Sequence, residues 1–174
     1  GIVDLFEELD RPGVPKDGVI GWNSPAIVVG DVVVIGSAFG NASLQDRTIG
    51  HVRGYDVRTG KRCWIFHTVP FPGEYGHDTW EGDAFEHAGN VGVWAPMSAD
   101  QELGYVYVPV EGATTDTSAQ HRPGANLFED SLVCLDAKTG KRVWHFQMVH
   151  HGLWDYDVPT QPILLDVNQG GRTV

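Results

Sequence analysis

Residues 150–159 read HHGLWDYDVP and place two histidines, a tryptophan and two aspartates within ten positions. A carboxylate in such a loop can accept the proton of a hydroxyl group, as a general base does when an alcohol is oxidised. The plainer alternative is a polar turn between two strands, in which Asp side chains bond nearby backbone N–H groups. Asp155 is therefore a candidate base, and the elements that position it decide between the two interpretations.

Two segments that lie 80 residues apart carry one repeated pattern. Residues 52–66 read VRGYDVRTGKRCWIF and residues 132–146 read LVCLDAKTGKRVWHF, so the Asp, the Thr-Gly-Lys-Arg run, the Trp and the Phe coincide. In each segment an apolar-rich strand ends at the Asp, and the Gly supplies the positive φ that a reversal needs. The return strand then places Trp and Phe on one face. Each segment is predicted to form an antiparallel hairpin.

Two further strand-like runs precede each hairpin, at 25–30 and 31–38 in the first copy and at 93–99 and 105–111 in the second. A tandem four-stranded unit is typical of a propeller blade. The predicted fold is all-β, a partial β-propeller of about two four-stranded antiparallel blades. The first strand of a third blade is predicted in PTQPILLDV, residues 159–167.

This prediction divides the chain into consecutive segments. They are an entry segment from a preceding blade (1–23), a first blade (24–69), an inter-blade loop (70–90), a second blade (91–149) with a long insertion (112–130), and an active-site-type loop with the start of a third blade (150–174). Loops of this length in a compact domain are usually functional or disordered. Two blades do not close a ring, so their edges favour association with further blades or with another copy.

The composition excludes several classes of function. Twelve Lys and Arg against 23 Asp and Glu give a formal net charge of -11, which repels the phosphates of nucleic acid and anionic membrane surfaces. No run approaches the ~18 apolar residues of a membrane helix, and no signal-peptide pattern opens the chain. The 22 Gly and 10 Pro favour many short strands and turns over long helices.

Three features together resemble one enzyme family. They are the paired DxxTGKxxW repeats, the run VWAPMSAD at 93–100 followed by YVYVP at 105–109, and WHFQMVHHGLWDYDVPTQP at 144–162. They resemble the quinoprotein dehydrogenases that use pyrroloquinoline quinone (PQQ), particularly the glucose-dehydrogenase-like branch. The resemblance implies an eight-bladed propeller with PQQ and a divalent cation, usually calcium, on its axis. It also implies oxidation of a sugar or alcohol in the bacterial periplasm, with electrons passing to ubiquinone or a cytochrome.

The resemblance assigns roles to single residues. Asp155 matches the catalytic base, and Trp94 matches the tryptophan whose indole lies against PQQ, the alternative being a core Trp between blades. Of the vicinal pair His150 and His151, at most one can face the site. His151 is the candidate for a cofactor contact, and the alternative is a solvated or backbone-bonded pair. Asp157 is expected to point to the opposite face of an extended segment and to be structural.

The metal ligands that the resemblance implies are Asn41 and Asp155. Gly40 stands where the family often has an acidic residue beside the Asn, and Glu111 follows the YVYVP strand where some members present a ligand. Calcium prefers several oxygen ligands, anionic ones above all, so this set is incomplete. Because the other blades of a full ring supply the rest of the site, we expect the isolated chain neither to bind PQQ tightly nor to turn over substrate.

Two other functions are compatible with the blade repeat. One is a non-catalytic propeller scaffold, of the kind used in outer-membrane protein assembly, and the other is a small module that pairs with a partner propeller piece. The scaffold gives no reason for Trp94 and Asp155 to occur together, nor for the insertion at 112–130. The dehydrogenase is expected to meet a sugar or alcohol and a quinone or cytochrome acceptor. It is also expected to contact further blades or another copy of itself, and no nucleic acid.

Overall fold

The computed structural model describes residues 2–3, 5, 20–21, 24–39, 49–115 and 117–173. Gly40 and Asn41 lie outside these residues. The strands are, in chain order, β1 (Ile20–Gly21), β2 (Ile27–Val29), β3 (Val32–Ile35), β4 (Ala38–Phe39), β5 (Val52–Asp56), β6 (Arg62–Phe66), β7 (Ser98–Asp100), β8 (Tyr105–Val110), β9 (Ser131–Asp136), β10 (Arg142–Gln147), β11 (Asn168–Gln169) and β12 (Arg172–Thr173). A 3-10 helix, His77–Thr79, and helix α1, Ala84–His87, precede β7.

Eight of these strands form two four-stranded sheets. The first has the order β2-β3-β5-β6 and the second the order β7-β8-β9-β10, with every neighbouring pair antiparallel. Side chains along a strand point alternately to the two faces of its sheet. In each sheet, the face that is rich in valine lies inside. The predicted all-β architecture of two blade-like sheets is confirmed.

The two repeated turns have the same geometry. Asp56 Oδ1 accepts hydrogen bonds from Thr59 N at 2.7 Å and Thr59 Oγ1 at 2.8 Å. Asp136 Oδ1 accepts them from Thr139 N and Oγ1, both at 2.8 Å. These bonds to the ionised form lower the pKa of both carboxyl groups. The repeated Asp-x-x-Thr-Gly pattern therefore encodes one turn twice, as predicted.

The sheets pack on each other through Trp64 of β6. Its indole lies across the backbone of Gly54 and contacts Gly140, which follows β9. Its Nε1 donates a hydrogen bond to the carbonyl of Ala137 at 2.9 Å. Residues of both sheets then share one apolar core, whose most deeply buried members include Val34, Val52, Val106, Val108, Val110, Val133 and Leu135.

The inter-blade segment 70–90 is a packed part of the fold. Trp80 and Ala84 are buried in the common core, and Trp80 Nε1 donates to the carbonyl of Leu127 at 2.5 Å. That bond joins the inter-blade segment to the insertion at 112–130. Two short helices form in this segment, which was predicted to be a loop. Ala84 of α1 is buried, whereas no residue of the 3-10 helix is.

Two strand predictions need correction. Strand β7 begins at Ser98, so Trp94, which belongs to the strand predicted at 93–99, precedes the strand that forms. No strand forms within 159–167, and the hairpin of β11 and β12 follows instead. Ile163 and Leu165 are exposed there. No strand in the described part of the chain pairs with that segment, so its backbone N–H and C=O groups lack the partners that a β-ladder would provide. In the same part of the chain, no helix is long and apolar enough to cross a membrane.

Candidate active site

The candidate site forms where three irregular segments meet. They are the loop at 150–158 after β10, the run at 91–94 before β7, and the insertion at 112–130 between β8 and β9. A shallow pocket lies at this junction, lined by Gly112, Ala113, Arg122, Asp130, Gly152, Asp155 and Tyr156. The sheets thus hold the segments, while the side chains that can do chemistry come from loops, as is common in enzymes.

Asp157 joins two of these segments. Its Oδ2 accepts a hydrogen bond from Trp94 Nε1 at 3.2 Å, and its Oδ1 accepts one from Gly112 N at 3.0 Å. The structural role expected for Asp157 agrees with these bonds. The expectation of an extended segment is wrong, because Asp155 and Asp157 have φ values of 53° and 40°. The nearby charges of Asp155 and Asp157 both raise the pKa of Asp130.

Asp155 is exposed and lines the pocket. Partial desolvation raises the pKa of its carboxyl group, and the nearby charge of Asp157 raises it further. A carboxylate with a raised pKa binds a proton more readily while it remains open to solvent or to a small molecule. Trp94 is half-buried. It bonds to Asp157, which follows Asp155 by two residues in the sequence. The segments that carry Trp94 and Asp155 therefore meet through the bond between Trp94 and Asp157.

Three charged residues of the insertion are buried at the pocket, and two of them, Arg122 and Asp130, line it. Arg122, Glu129 and Asp130 are 1%, 0% and 2% exposed. Arg122 Nη1 forms an ion pair with Glu129 Oε2 at 2.7 Å. Burial raises the pKa of Glu129 to about 7, although Arg122 opposes the shift. Burial also raises the pKa of Asp130 to about 6, with Asp157 adding to the effect.

The sequence analysis missed these three residues. Charged side chains are seldom buried without a partner, and no local spacing rule pairs an arginine with a glutamate seven residues later in an irregular loop. One signal was available. The acidic pair Glu129-Asp130 stands directly before β9, at the end of a long insertion of the kind that is usually functional or disordered.

The ion pair contacts the backbone of the loop at Gly152. Arg122 Nη2 donates to the Gly152 carbonyl at 2.5 Å, and Gly152 N donates to Glu129 Oε1 at 2.8 Å. His151 lies beside them, with its Nδ1 3.0 Å from the Gly124 carbonyl oxygen. The ring of His151 thus contacts the insertion through Nδ1, and His150 is exposed.

The described residues do not make a complete site for a divalent cation. Among them, no group of three or more His, Cys, Asp or Glu side chains is arranged to hold a metal ion. Glu111 is buried and its carboxylate lies against Gly92. Asn41 lies outside the described residues. One oxygen of Asp130 is buried without a hydrogen-bond partner, which is a single anionic donor rather than a ligand set.

The described residues also fit PQQ only in part. Trp94 offers a broad ring that Asp157 holds by its indole nitrogen, which suits a flat aromatic cofactor. PQQ is a tricarboxylate and needs cationic or N–H partners, whereas the pocket carries Asp130 and Asp155, and Arg122 already pairs with Glu129. Trp94 thus suits the role of a platform, while the residues that line this pocket offer no unpaired cation for the cofactor's carboxylates.

Comparison with known proteins shows in which family this blade repeat occurs. The family model described as PQQ: glucose/ethanol/alcohol dehydrogenase, β-propeller domain, matches residues 1–174. The chain is 42% identical over 164 residues to quinoprotein glucose dehydrogenase A of Acinetobacter calcoaceticus, covering 88% of this chain and 19% of that protein. It is 35% identical over 176 residues to the glycerol dehydrogenase large subunit of Gluconobacter oxydans, covering 100% and 23%.

Solved structures give the same result. The quinohemoprotein alcohol dehydrogenase ADHIIG of Pseudomonas putida superposes with a TM-score of 0.75 at 31% identity, over 87% of this chain and 23% of that one. The quinohemoprotein alcohol dehydrogenase of Comamonas testosteroni superposes with a TM-score of 0.76 at 27% identity, over 93% and 25%. The chain spans about a fifth of the length of the curated relatives it matches.

Proposed function

The chain belongs to the glucose/ethanol/alcohol dehydrogenase β-propeller family of PQQ-dependent proteins, and we propose that it forms part of an enzyme that oxidises a sugar or an alcohol. When bound, PQQ supplies the acceptor of the hydride. The relatives named above are glucose, glycerol and alcohol dehydrogenases, which supports a hydroxyl-bearing substrate. Because the chain spans only part of their length, the activity is proposed for the complete ring and the isolated chain is expected to be inactive.

In this proposal Asp155 is the general base. The observation that carries it is the accessible Asp155 carboxylate in the pocket, next to the bonded pair of Trp94 and Asp157. Oxidising C–OH to C=O requires removal of the hydroxyl proton as hydride leaves the carbon, and a carboxylate within hydrogen-bond reach accepts that proton. The raised pKa of Asp155 makes it a better acceptor than an ordinary solvated aspartate.

Trp94 is the proposed platform for the cofactor, and Asp157 is the residue that orients it. The hydrogen bond from Trp94 Nε1 to Asp157 fixes the rotation of the indole, which a stacking surface requires. His151 remains a proposed cofactor contact through Nε2, since its Nδ1 lies against the Gly124 carbonyl. Asn41 and Asp155 remain the proposed metal ligands, with calcium the expected cation and other blades supplying further oxygens.

The setting of the enzyme belongs to the same proposal. The relatives named above are bacterial, which supports a bacterial enzyme. The resemblance supports a periplasmic location, with ubiquinone or a cytochrome as electron acceptor. The net charge of -11 favours neither nucleic acid nor an anionic membrane surface as a partner.

The test is reconstitution of the complete protein that contains this chain with PQQ and Ca²⁺, followed by dye reduction with glucose, glycerol and ethanol. Asp155→Asn is expected to lower kcat by about 10²- to 10⁴-fold, the range typical of a lost general base. Asp166→Asn, at an exposed position outside the pocket, is the matched control and is expected to leave kcat unchanged. Wild-type kcat in Asp155→Asn would overturn the assignment of the base.

A further inference from the structure

The ion pair of Arg122 and Glu129 contacts the backbone of a single residue, Gly152. Arg122 Nη2 donates to the carbonyl of Gly152, Glu129 Oε1 accepts from the N–H of the same residue, and the two charged groups bond each other at 2.7 Å. Charge-assisted bonds of this kind are shorter and stronger than bonds between neutral groups. Both polar backbone groups of Gly152 are therefore held by one rigid pair.

We infer that Arg122 and Glu129 are positioning residues, which clamp Gly152 and so fix where the loop at 150–158 presents Asp155. The catalytic consequence rests on the proposed function, whereas the clamp itself does not. Asp155 is three residues beyond Gly152, so a displacement of Gly152 is transmitted to the Asp155 carboxylate over a short stretch.

The loop has few means of its own to hold this shape. It contains no helix or strand, and His151, Asp155 and Asp157 all have positive φ values, of 54°, 53° and 40°. Non-glycine residues in this region persist when surrounding structure fixes them. The clamp supplies such a constraint on one side of Asp155, and the bonds of Asp157 to Trp94 and Gly112 supply one on the other.

The surroundings of the pair favour a positional role. Arg122 Nη1 also donates to Asn126 Oδ1 at 3.0 Å, and Glu129 Oε2 also accepts from Ala113 N at 3.3 Å. The insertion thus orients both members of the pair from behind. Replacement of a buried ion pair by apolar residues is often neutral for stability, so the gain from keeping this one lies in the geometry that it enforces.

Gly152 itself fits the clamp because it has no side chain. A Cβ at this position would contact the Asp130 carboxylate, and that contact is with a buried residue that cannot easily move. The loop backbone therefore lies directly against the insertion, with no side chain between them. This close approach is what allows the two charged groups to reach the N–H and the C=O of one residue.

The first arm of the test measures steady-state kinetics in the complete, PQQ-loaded protein. Arg122→Lys keeps the charge but not the planar fork that spans Glu129 and Gly152. It is expected to lower kcat by about 10- to 100-fold, as a small misplacement of a catalytic group does, with KM within threefold. Glu129→Gln has one side-chain acceptor where Glu129 has two, so it cannot bond both Gly152 N and Arg122 Nη1, and it is also expected to lower kcat. Arg58→Lys, in an exposed ion pair with Asp31, is the control.

The second arm needs no activity. Amide hydrogen exchange is compared between the wild type and the double variant Arg122→Met with Glu129→Leu, which removes the pair without leaving a lone buried charge. Exchange is expected to become at least about tenfold faster in 150–157 and to stay unchanged in β8 and β9. The same comparison on Arg122→Lys serves if the double variant does not fold.

The outcomes separate the two proposals. Unchanged exchange in 150–157, or wild-type kcat in Arg122→Lys, would overturn the clamp. A wild-type protein that reduces no dye with any sugar or alcohol would overturn the proposed function, while the exchange measurement would still test the clamp.

Discussion

Trp64 and Trp144 occupy the same place in the two copies of the blade repeat, yet the first is 8% exposed and the second 40%. Trp64 is covered by the turn of the second copy, where it contacts Gly140 and donates to the Ala137 carbonyl. Trp144 packs beside Tyr107 of its own sheet, with ring centroids 5.9 Å apart. The motif thus fixes where the indole is placed, and a neighbouring turn decides whether it is buried.

The copies also differ in what their loops carry. The second copy contains the insertion at 112–130 with the buried residues Arg122, Glu129 and Asp130. At the position 80 residues before Asp130 the first copy has Gly50. The two sheets therefore have the same strand order but different roles. The first is a packing unit, and the second supports a charged site.

The largest effect is expected from removing the covered indole. Trp64→Ala should lower the free energy of unfolding by about 3–5 kcal/mol, because it leaves a cavity between two packed sheets. Trp144→Ala should cost about 1 kcal/mol or less in the same chain, since much of its ring already meets water. Denaturant unfolding followed by circular dichroism measures both. Equal losses of unfolding free energy in the two variants would show that the neighbouring turn does not add to the stabilisation by Trp64.

A second pair of variants isolates the contact with the turn. Gly60 and Gly140 have φ values of 69° and 70°, so alanine meets the same backbone strain at both, about 1–2 kcal/mol. A Cβ at Gly60 has open space, whereas a Cβ at Gly140 collides with the Trp64 ring. Gly140→Ala should therefore cost about 1–3 kcal/mol more than Gly60→Ala in denaturant unfolding. A cost no larger than that of Gly60→Ala would break the comparison.

The smallest effect concerns the charge of the second copy. Burial raises the pKa of Asp130 to about 6, above an unfolded value near 3.9. Between about pH 4 and pH 6 the folded state binds more protons than the unfolded state, so the contribution of Asp130 to the unfolding free energy falls as pH rises. Asp130→Asn stays neutral, and its stability relative to the wild type should increase from pH 4.5 to pH 8.

Thermal midpoints measured at the two pH values check this prediction, with the exposed Asp166→Asn as control. The sign is opposite to that of Asp56 and Asp136, whose pKa values are lowered by their turn hydrogen bonds. A relative stability of Asp130→Asn that does not change between pH 4.5 and pH 8 would mean that the carboxyl group is ionised in the folded protein throughout.

Local chemistry made the blades predictable. The alternation of apolar residues and the Asp-x-x-Thr-Gly turn each depend on residues a few positions apart, and both hairpins formed as expected. The direction of Asp157 was not predictable, because alternation assumes an extended chain and the loop is not extended. The Arg122–Glu129 pair depends on the path of an irregular insertion, which no periodic pattern describes.

The bond from Trp64 to Ala137 spans 73 residues of sequence. A chain made from its amino terminus therefore completes the first sheet long before the acceptor of that indole exists. Until the second turn has been synthesised, the face around Trp64 is open to water and to other chains, as repeat architectures are when a neighbour is lacking. The first sheet thus depends for its final stability on the part of the chain that is made after it.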